Sequence, residues 1–600
     1  MSNFTIRQEF FISSYTMLQN EQEKMDNFLK LLEKSGVERY IKKVERSKGG
    51  RPISNPCNIL SAILYYFAFE KGSLRDIEDK SRFDLRVIYL MNAEVVSYKT
   101  FGNFINRILL PYRYEIFSLI TKAIFIECGL EMKKAYVDGS KFEADANKYK
   151  FVWKPIKYHE NLSNKIRDIL KRNHLDRGIK QDGIIESVQI ARKITEFNKL
   201  YSTSDDRQIK KDYENLMEFL NKSLEYEEKE RICGPDRNSY YKTDHDATAV
   251  CLKEDFYSGL GSNMHAAYNT QIMVIDGLIS SFIVTQSRND IKDFIPLLNR
   301  HKEMYGSLPD LVCADAGYGS LLNYEYLEKN GIENYVKYQS WEGNVSGRNP
   351  SIYHLNDDMT ISCLNKKTGR ISETHPWHPK KKDGIFYRIE GCNNCEFKTY
   401  CKRYMKNKDE DYRFFEVSTK LQTYIQQSEK NLLSVKGIEM RVNRSAQVEG
   451  AFGIIKQDIQ FERFRRTTKE KVEVEFMLIV LGYNIRKLFK YYSGNLKTEF
   501  WKAPEDLNEE KFKKPSSKRL NNKVNKRERN LSTKKRKENI NINKRDCEVP
   551  NLRVRFFHSP LLWVSYSPAS QSFLAVSSCT VTPFASSSAI FSANCGKYFL

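Results

Sequence analysis

Two aspartates each follow a short apolar run and have a glycine within two positions. Asp138 directly follows the run 135–137, and Asp315 directly follows the run 311–314. This pattern predicts two strands that each end in a carboxylate, at the edge where open α/β sheets bind ligands. Carboxylate oxygens are the ligands that Mg²⁺ or Mn²⁺ prefers in proteins. The alternative for either aspartate is an ordinary turn residue.

A third carboxylate, Glu449, is placed to complete the same site from a helix. Glu449, Phe452 and Lys456 stand at i, i+3 and i+7, which puts an acid and a base on one helical face. Two divalent ions about 3.5–4 Å apart, held by such carboxylates, activate a nucleophile and stabilise the leaving oxygen in phosphoryl transfer. The three carboxylates therefore predict metal-dependent chemistry on a phosphodiester.

Four cysteines form a second candidate site, in a segment expected to be rich in loops. The spacing is C-x2-C-x5-C, over Cys392, Cys395 and Cys401, with Cys363 upstream. Four thiolates suit tetrahedral Zn²⁺, and the close pair has the spacing of a zinc knuckle. His375 or His378 are alternatives to Cys363 as the fourth ligand. Unliganded thiols are the alternative to zinc.

The elements around the aspartates predict an α/β fold, with a mixed sheet covered by helices. The expected order is a strand at Asp138, a hairpin that turns on Asp276-Gly277, and strands at 311–317 and 334–338. Helices are expected at 291–304 and 320–330. The polar segment 155–235 is predicted to be a helical insertion, and 340–430 a cysteine-containing insertion. A long helical stretch is expected from Ser445 to Tyr492.

Residues 1–130 are predicted to form an N-terminal helical domain. Apolar residues at helical spacing predict helices at 58–70, at 73–81 and from about Ser97. Short helices joined by tight turns in a basic protein favour a helix-turn-helix-like DNA-binding domain. An ordinary small helical bundle is the alternative. The catalytic domain is then expected to span 131–492.

Composition excludes some classes of protein and points to a charged partner. The 600 residues include 98 Lys+Arg and 76 Asp+Glu, a net charge of +22. No apolar run approaches the length of a membrane span, and the N-terminus does not resemble an export signal, so a cytoplasmic protein without membrane spans is expected. Twelve cysteines are too few for a disulfide scaffold. The positive charge favours an anionic partner, either nucleic acid or an acidic membrane surface.

The positive charge is concentrated near the C-terminus. Residues 511–546 carry a net +12, within a segment, 505–546, that is predicted to be a basic disordered tail. Residues 547–600 are predicted to be a non-native or unstructured extension, such as translation past a lost stop codon. The remaining body is only mildly basic, so bulk charge is not the main indication of a DNA partner.

Three sequence blocks resemble the DDE transposases of bacterial insertion sequences, in the eleven-eighty-two group of the IS-four-like superfamily. The blocks are 137–144 (VDGSKFEA), 314–319 (ADAGYG) and 444–453 (RSAQVEGAFG). Segment 50–105 is also similar to the family's N-terminal domain. The resemblance implies an RNase H-like catalytic core whose triad, here Asp138, Asp315 and Glu449, binds two Mg²⁺. Lys456 follows Glu449 at the family's spacing, whereas Arg444 lies one residue further from Glu449 than the family pattern asks.

The resemblance implies a transposase that binds insertion-sequence ends, cleaves DNA and catalyses strand transfer. Lys456 is expected to steady a phosphate, and five arginines are candidates for the DNA path, with a solvated helix face as the alternative for each: Arg441, Arg444, Arg463, Arg465 and Arg466. A homodimer on DNA in the bacterial cytoplasm, associated with the nucleoid, is also expected. The alternatives are a catalytically decayed or repurposed DNA-binding protein and a plain RNase H-like nuclease.

Overall fold

The computed structural model of the chain describes nine stretches: residues 16–47, 55–70, 72–235, 237–252, 264–346, 351–373, 384–405, 408–497 and 500–504. All of them belong to one compact unit. Within these stretches, no helix combines the length and the apolar character needed to cross a membrane. The predicted tail at 505–546 and the predicted extension at 547–600 lie outside the described residues.

Seven helices come first in the described chain, and runs of strands and runs of helices follow. The helices are α1 (Thr16–Ser35), α2 (Glu38–Ser47), α3 (Pro56–Phe69), α4 (Leu74–Phe83), α5 (Leu85–Leu90), α6 (Tyr98–Phe104), α7 (Arg113–Glu127), α8 (Pro155–Arg172), α9 (Ser187–Thr203), α10 (Arg207–Cys233), α11 (Phe294–Tyr305), α12 (Leu321–Lys329), α13 (Trp341–Ser346), α14 (Lys398–Cys401), α15 (Thr419–Leu433), α16 (Val435–Arg444), α17 (Gly450–Gly453) and α18 (Lys469–Tyr492). The strands are β1 (Lys134–Glu143), β2 (Phe151–Trp153), β3 (Ser239–Tyr241), β4 (Thr248–Cys251), β5 (Met264–Ile275), β6 (Leu278–Thr285), β7 (Leu311–Ala314), β8 (Glu333–Val336), β9 (Tyr353–Leu355), β10 (Ile361–Cys363), β11 (Thr368–Ile371), β12 (Gly384–Glu390) and β13 (Tyr412–Ser418).

The central sheet is mixed, which confirms the predicted α/β class. Its strand order is β4-β5-β1-β7-β8, and β6 also pairs with β5. Strands β1, β7 and β8 are parallel, whereas β5 is antiparallel to its neighbours. The predicted hairpin joins β5 to β6, and both Asp276 (φ 47°) and Gly277 (φ 78°) adopt the left-handed backbone that such a tight turn needs.

The N-terminal helices pack on this sheet through one continuous hydrophobic core. The core includes buried residues of α1, α3 and α7, of the central strands and of α18. Helices α3, α4 and α6 lie where the apolar spacing predicts helices. Helix α5 was not predicted, since its six residues are too few to show a helical period; its N-terminus is capped by Asp84, which accepts from the Arg86 N–H at 3.0 Å. A DNA-binding role for these helices stays a prediction.

The segment between β2 and β3 is a helical unit with its own apolar cluster. Strands β2 and β3 pair with each other, and α8, α9 and α10 lie between them in the chain. Buried residues of all three helices, such as Ile166, Phe197 and Leu216, form a cluster separate from the main core. The helices expected at 155–235 are present, whereas their status as an insertion stays a prediction.

The region around the cysteines, which was expected to be rich in loops, also contains a sheet, and Cys392 and Cys395 lie in the long connection between β12 and β13. Strands β9 to β13 form a five-stranded antiparallel sheet. Three of these strands have only three or four residues, too few to show a clear alternation. The sheet has a small core that includes Leu355, Tyr387 and Val417.

The helical stretch expected from about Ser445 to Tyr492 is present but interrupted. A helix begins at Val435 and continues through π-helical turns at Ser445–Glu449 and Ile454–Asp458. The chain then leaves helical geometry at 459–468, before α18 begins at Lys469. The carboxylates of Asp244 and Asp246 accept from the Thr468 and Lys469 N–H groups at 3.2 and 2.8 Å, which holds the start of α18.

Candidate active site

Asp138 and Asp315 lie next to each other at the end of a parallel pair of strands. The last paired residues of β1 and β7 are Val137 and Ala314, so the next residue on each strand is an aspartate. The prediction that a strand ends at Asp138 is wrong, because β1 continues to Glu143 while it stays paired with antiparallel β5. Asp138 thus marks the end of the parallel pairing and not the end of its strand.

Arg444 lies among the three predicted carboxylates. Its Nη1 donates to Asp138 Oδ2 at 3.0 Å. Its Nη2 lies 3.8 Å from Asp315 Oδ1 and 3.7 Å from Glu449 Oε1. The side chain of Arg444 is 8% exposed, so a solvated helix face does not describe this residue. The structure therefore gathers the triad around one buried guanidinium.

A π-helical turn explains how Arg444 and Glu449 reach the same point. In a regular α-helix, residues five apart lie about 140° from each other around the axis. The turn Ser445–Glu449 is π-helical, so it accommodates one extra residue and brings Arg444 and Glu449 back toward one face. The extra residue noted between Arg444 and Glu449 in the sequence is thus absorbed by the helix. Gln447 in this turn accepts from the Gly277 N–H at 2.9 Å and ties the turn to the β5–β6 hairpin.

The pKa values of the two aspartates are shifted in opposite directions. Burial raises the pKa of Asp138, despite the Arg444 guanidinium and the Gly139 N–H, which donates to Asp138 at 2.8 Å. Burial also acts to raise the pKa of Asp315, but Arg444 and Lys337 outweigh it and the pKa is lowered. Asp315 therefore stays ionised to lower pH than Asp138.

Lys337 is a member of the site that the sequence argument missed. Its Nζ lies 3.2 Å from Asp315 Oδ1 and also contacts Glu342 at 2.9 Å. The parallel register pairs Ala314 with Val336, so the residues that follow, Asp315 and Lys337, are neighbours. The end of the next predicted strand was the signal that could have identified this lysine.

A polar network supports the floor of the site beside Asp138. Gln271 of β5 donates to Asp290 at 2.8 Å and accepts from the hydroxyl of Tyr318. Its side chain lies where a Cβ on Gly139 would stand, so the glycine after Asp138 is needed for this close approach. Asn269 also donates to Asp290, at 2.8 Å. The glycine leaves room for a neighbouring side chain and not for a ligand.

The remaining predicted basic residues lie in different surroundings. Lys456 Nζ lies 5.2 Å from the centre of the Phe142 ring. Arg441 lies over Trp341 at 5.3 Å, and burial lowers the pKa of Arg441. Arg463 donates to Asp145 at 2.8 Å.

Arg463, Arg465 and Arg466 line one cleft. Its volume is about 380 Å³, and it lies between the loop at Gly72 and the non-helical segment 459–466. Arg465 donates to the Gly72 carbonyl, and Arg466 donates to Asn106 at 2.8 Å. These arginines lie outside the helices, so a helix face is not their setting.

The donor chemistry of the carboxylate cluster fits a divalent cation. Three carboxylates share the Arg444 guanidinium, and Lys337 adds a second positive charge at Asp315. The side chains of Asp315 and Glu449 are 46% and 59% exposed, which leaves an approach from solvent. Hard oxygen donors of this kind suit Mg²⁺ or Mn²⁺. In the described stretches no three His, Cys, Asp or Glu side chains stand close enough together to hold a metal ion. At this cluster, the guanidinium of Arg444 lies between the carboxylates.

The four predicted cysteines line one small cavity in the five-stranded sheet. Its volume is about 20 Å³. Cys363 ends β10, Cys401 ends α14, and Cys392 and Cys395 follow β12. Burial raises the pKa of the Cys392 and Cys401 thiols. His375 and His378, the alternative ligands, lie outside the described residues.

The candidate site thus lies on a mixed sheet, where two parallel strands carry adjacent carboxylates. Residues 362–489 are similar to the family described as the transposase DDE domain. The matched residues include Glu449, Lys456 and the four cysteines, whereas Asp138 and Asp315 precede them. The match supports a DDE transposase, a class of DNA-cleaving enzymes that generally use divalent metals. A comparison with curated proteins finds no match.

Proposed function

We propose that the chain is a transposase that binds insertion-sequence ends, cleaves DNA and catalyses strand transfer at Asp138, Asp315 and Glu449. The observation that carries the proposal is the convergence of these three carboxylates on one guanidinium, at the end of the β1–β7 parallel pairing. The match to the transposase DDE domain supports the class. The strand arrangement supports an RNase H-like core, and the three sequence blocks support the IS-four-like superfamily, eleven-eighty-two group.

The three carboxylates would hold the divalent ions of the reaction. Asp138, Asp315 and Glu449 are the residues that would bind two Mg²⁺ or Mn²⁺ ions, which supply Lewis acidity to the attacking hydroxyl and to the leaving oxygen. Lys337 helps to keep Asp315 ionised, because its ammonium lies 3.2 Å from the carboxylate. The lysine that follows the neighbouring strand β8 thus favours the ionised carboxylate that a cation requires.

The proposed reaction repeats one substitution at phosphorus with two nucleophiles. Water attacks the phosphodiester at the transposon end, a new P–O bond forms, and the old P–O bond breaks to free a 3′-hydroxyl. That hydroxyl then attacks a phosphodiester of the target DNA and releases a second 3′-hydroxyl. Neither step needs a protein nucleophile or an external energy source.

Arg444 has two roles in this proposal. In the metal-free protein its charge offsets the three carboxylates, which would otherwise repel each other. Divalent ions held by the carboxylates would take over this charge, and the guanidinium would then be available to a DNA phosphate. Lys456, seven residues beyond Glu449, steadies another phosphate.

The DNA path is proposed to follow basic residues near the site. The cleft lined by Arg463, Arg465 and Arg466 has a volume of about 380 Å³ and offers three positive charges to a phosphate backbone. Arg441 contributes from α16. The N-terminal helices are proposed to bind the transposon ends, and two copies of the chain are proposed to act as a homodimer on DNA. The nucleoid of a bacterial cytoplasm would be the place of action.

The test is divalent-metal-dependent nicking and joining of labelled DNA that carries the element's terminal repeats. We expect activity with Mg²⁺ or Mn²⁺ and a loss of about a thousandfold in Asp315→Ala, since the metal contributes several kcal/mol to the transition state. Asp310→Ala is the matched control, because Asp310 is an exposed aspartate at the other end of the same strand. This control should cleave DNA as the wild type does.

Two outcomes would contradict the proposal. Cleavage that persists in Asp315→Ala would rule out the assigned triad. DNA binding without cleavage by the intact protein would instead indicate a decayed transposase that retains only DNA binding.

A further inference from the structure

The cysteines of the five-stranded sheet come from two neighbouring connections at the same end of the sheet, β10–β11 and β12–β13. Cys363 closes β10 just before the turn to β11, where the Cys363 N–H donates to the Lys367 carbonyl at 3.0 Å. Cys392 and Cys395 lie in the connection after β12, where the Cys392 N–H donates to the Asp411 carbonyl at 2.8 Å. Cys401 follows six residues after Cys395. All four side chains line the same cavity of about 20 Å³.

The chain around the close pair has the form of a metal-binding turn. The Cys395 N–H points to the Cys392 carbonyl at 3.4 Å, and the Lys398 N–H donates to the Cys395 carbonyl at 3.0 Å. Two successive tight turns thus follow Cys392, and both cysteines line the cavity. A C-x2-C turn of this kind is typical of one half of a tetrahedral zinc site.

Two cationic side chains stand beside the thiols, the partly buried Arg413 and the buried Lys402. Arg413 Nη1 donates to Cys401 Sγ at 2.8 Å and also to the Cys401 carbonyl. Lys402 is 2% exposed, lines the same cavity, and donates to the Glu410 carbonyl. The acceptors of these bonds are neutral, so both positive charges remain to offset negative charge on the sulfur atoms.

The four thiols are not joined in disulfides. Each of Cys363, Cys392, Cys395 and Cys401 is a free cysteine. Electrostatic interaction links Cys392 to the other three, which agrees with their placement around one cavity. Free thiols that converge from two hairpins have the composition of a Cys₄ zinc site.

We propose that Cys363, Cys392, Cys395 and Cys401 bind one structural Zn²⁺ that holds the two connections of the five-stranded sheet together. Four S–H protons leave to solvent as four Zn–S bonds form, with no change of oxidation state. The resulting group carries a charge of −2, which Arg413 and Lys402 offset. Because the described thiols are not yet grouped at ligand distances, binding draws them toward the centre of the cavity.

The test is the metal content of the purified full-length chain. We expect about one zinc ion per chain by inductively coupled plasma mass spectrometry. The double variant Cys392→Ser/Cys395→Ser should lose it. Cys251→Ser is the matched control, because Cys251 is an exposed cysteine outside the cluster, and it should retain the zinc.

A second measurement avoids any dependence on the folding of the variant. Exchange of zinc for Co²⁺ in the wild-type chain should give the intense visible absorption of tetrahedral thiolate coordination. The four thiols should resist alkylation until a chelator is added, whereas Cys251 should react at once.

Three results would overturn the zinc site. They are a wild-type chain without bound metal and with all four thiols reactive, a double variant that keeps its zinc, and thiols that react only after a reductant is added. The last result would indicate disulfides. None of these bears on DNA cleavage by the carboxylates, so the two proposals can fail separately.

Discussion

The molecule contains two clusters of potential metal ligands that are built in opposite ways. The carboxylate cluster takes Asp138, Asp315 and Glu449 from β1, from the end of β7 and from the helix after α16. The thiol cluster takes all its members from residues 363–401 of one small sheet. The first depends on the register of the central sheet and on a distant helix, whereas the second depends on two neighbouring hairpins.

The two clusters also differ in where a nearby arginine lies. Arg444 lies among the carboxylates and contacts all three, so it occupies the place that a cation would take. Arg413 lies beside the thiols and donates to one of them, so its charge adds to that of a cation. In the two proposals, Arg444 would therefore compete with a metal ion, whereas Arg413 would assist one. We infer that the first site exchanges its cation during function and that the second keeps it.

Removal of metal ions should produce the largest difference between the two regions, in their rates of amide exchange. When a chelator removes zinc from the full chain, amide exchange at 384–390 and 412–418 should accelerate by about a thousandfold. Without zinc this sheet is stabilised only by its small core, which supplies about 3–5 kcal/mol. The core of that sheet includes six buried residues: Leu355, Ile361, Tyr387, Ile389, Phe415 and Val417. Exchange at 135–143 and 268–275 should not change. Hydrogen-exchange mass spectrometry measures both regions in one sample, and equal effects in the two would contradict the comparison.

Glu475 is a buried carboxylate that accepts hydrogen bonds from backbone amides, whereas Asp138 is paired with Arg444. We expect the ionisation of Glu475 to make the stability of the chain depend on pH. Glu475 accepts from the N–H groups of Arg465 and Arg466 at 3.0–3.1 Å, and burial raises its pKa to about 7. Between about pH 4.5 and 7 the folded chain keeps a proton that the unfolded chain has released. Stability should therefore fall as the pH rises through that window, by about 3 kcal/mol in total.

Glu475→Gln provides the check on that pH dependence. The amide oxygen still accepts a hydrogen bond but does not ionise, so the fall in stability between pH 4.5 and 7 should be largely abolished. Urea unfolding at a series of pH values measures the difference. The same pH dependence in variant and wild type would show that Glu475 is not the group responsible.

Removal of the guanidinium from the carboxylate cluster should have a smaller effect. Arg444→Gln leaves three carboxylates without their shared cation, and we expect a loss of about 2 kcal/mol in the metal-free protein, since two of the partners are partly exposed. Added Mn²⁺ should restore most of this stability. Thermal unfolding with and without Mn²⁺ measures both effects.

An exposed ion pair is the control for that variant. Lys436 pairs with Glu333 at the surface, and Lys436→Gln should cost less than about 1 kcal/mol. A loss in Arg444→Gln no larger than this, or one that Mn²⁺ does not reverse, would show that Arg444 does not act as the stand-in cation.

The sequence was sufficient for the parts of the fold that have strong local patterns. The hairpin at Asp276-Gly277, helix α3 and the strands before Asp138 and Asp315 all carry clear periodic or turn signals. The short strands β9 to β11 carry no such signal. The interruption of the helix at 459–468 was also not predicted. Asp244 and Asp246, which hold the start of α18, are more than 200 residues away in the sequence.

Some of the contacts within the site could likewise be predicted from the sequence, and others could not. Sequence blocks suggested that Asp138, Asp315 and Glu449 belong together, and the structure brings all three to Arg444. Lys337 was missed because its contact follows from the register between β7 and β8, which no local pattern sets. The reach of Arg444 depends on a π-helical turn, which a helical repeat of 3.6 residues does not predict.

The most direct test of the central claim is Mn²⁺ binding by the full chain, followed by electron paramagnetic resonance. If the three carboxylates form one cation site, then Asp138→Asn, Asp315→Asn and Glu449→Gln should each weaken binding by about tenfold or more. Asp310→Asn should bind as the wild type does. Mn²⁺ binding that is unchanged in all three site variants would contradict the account.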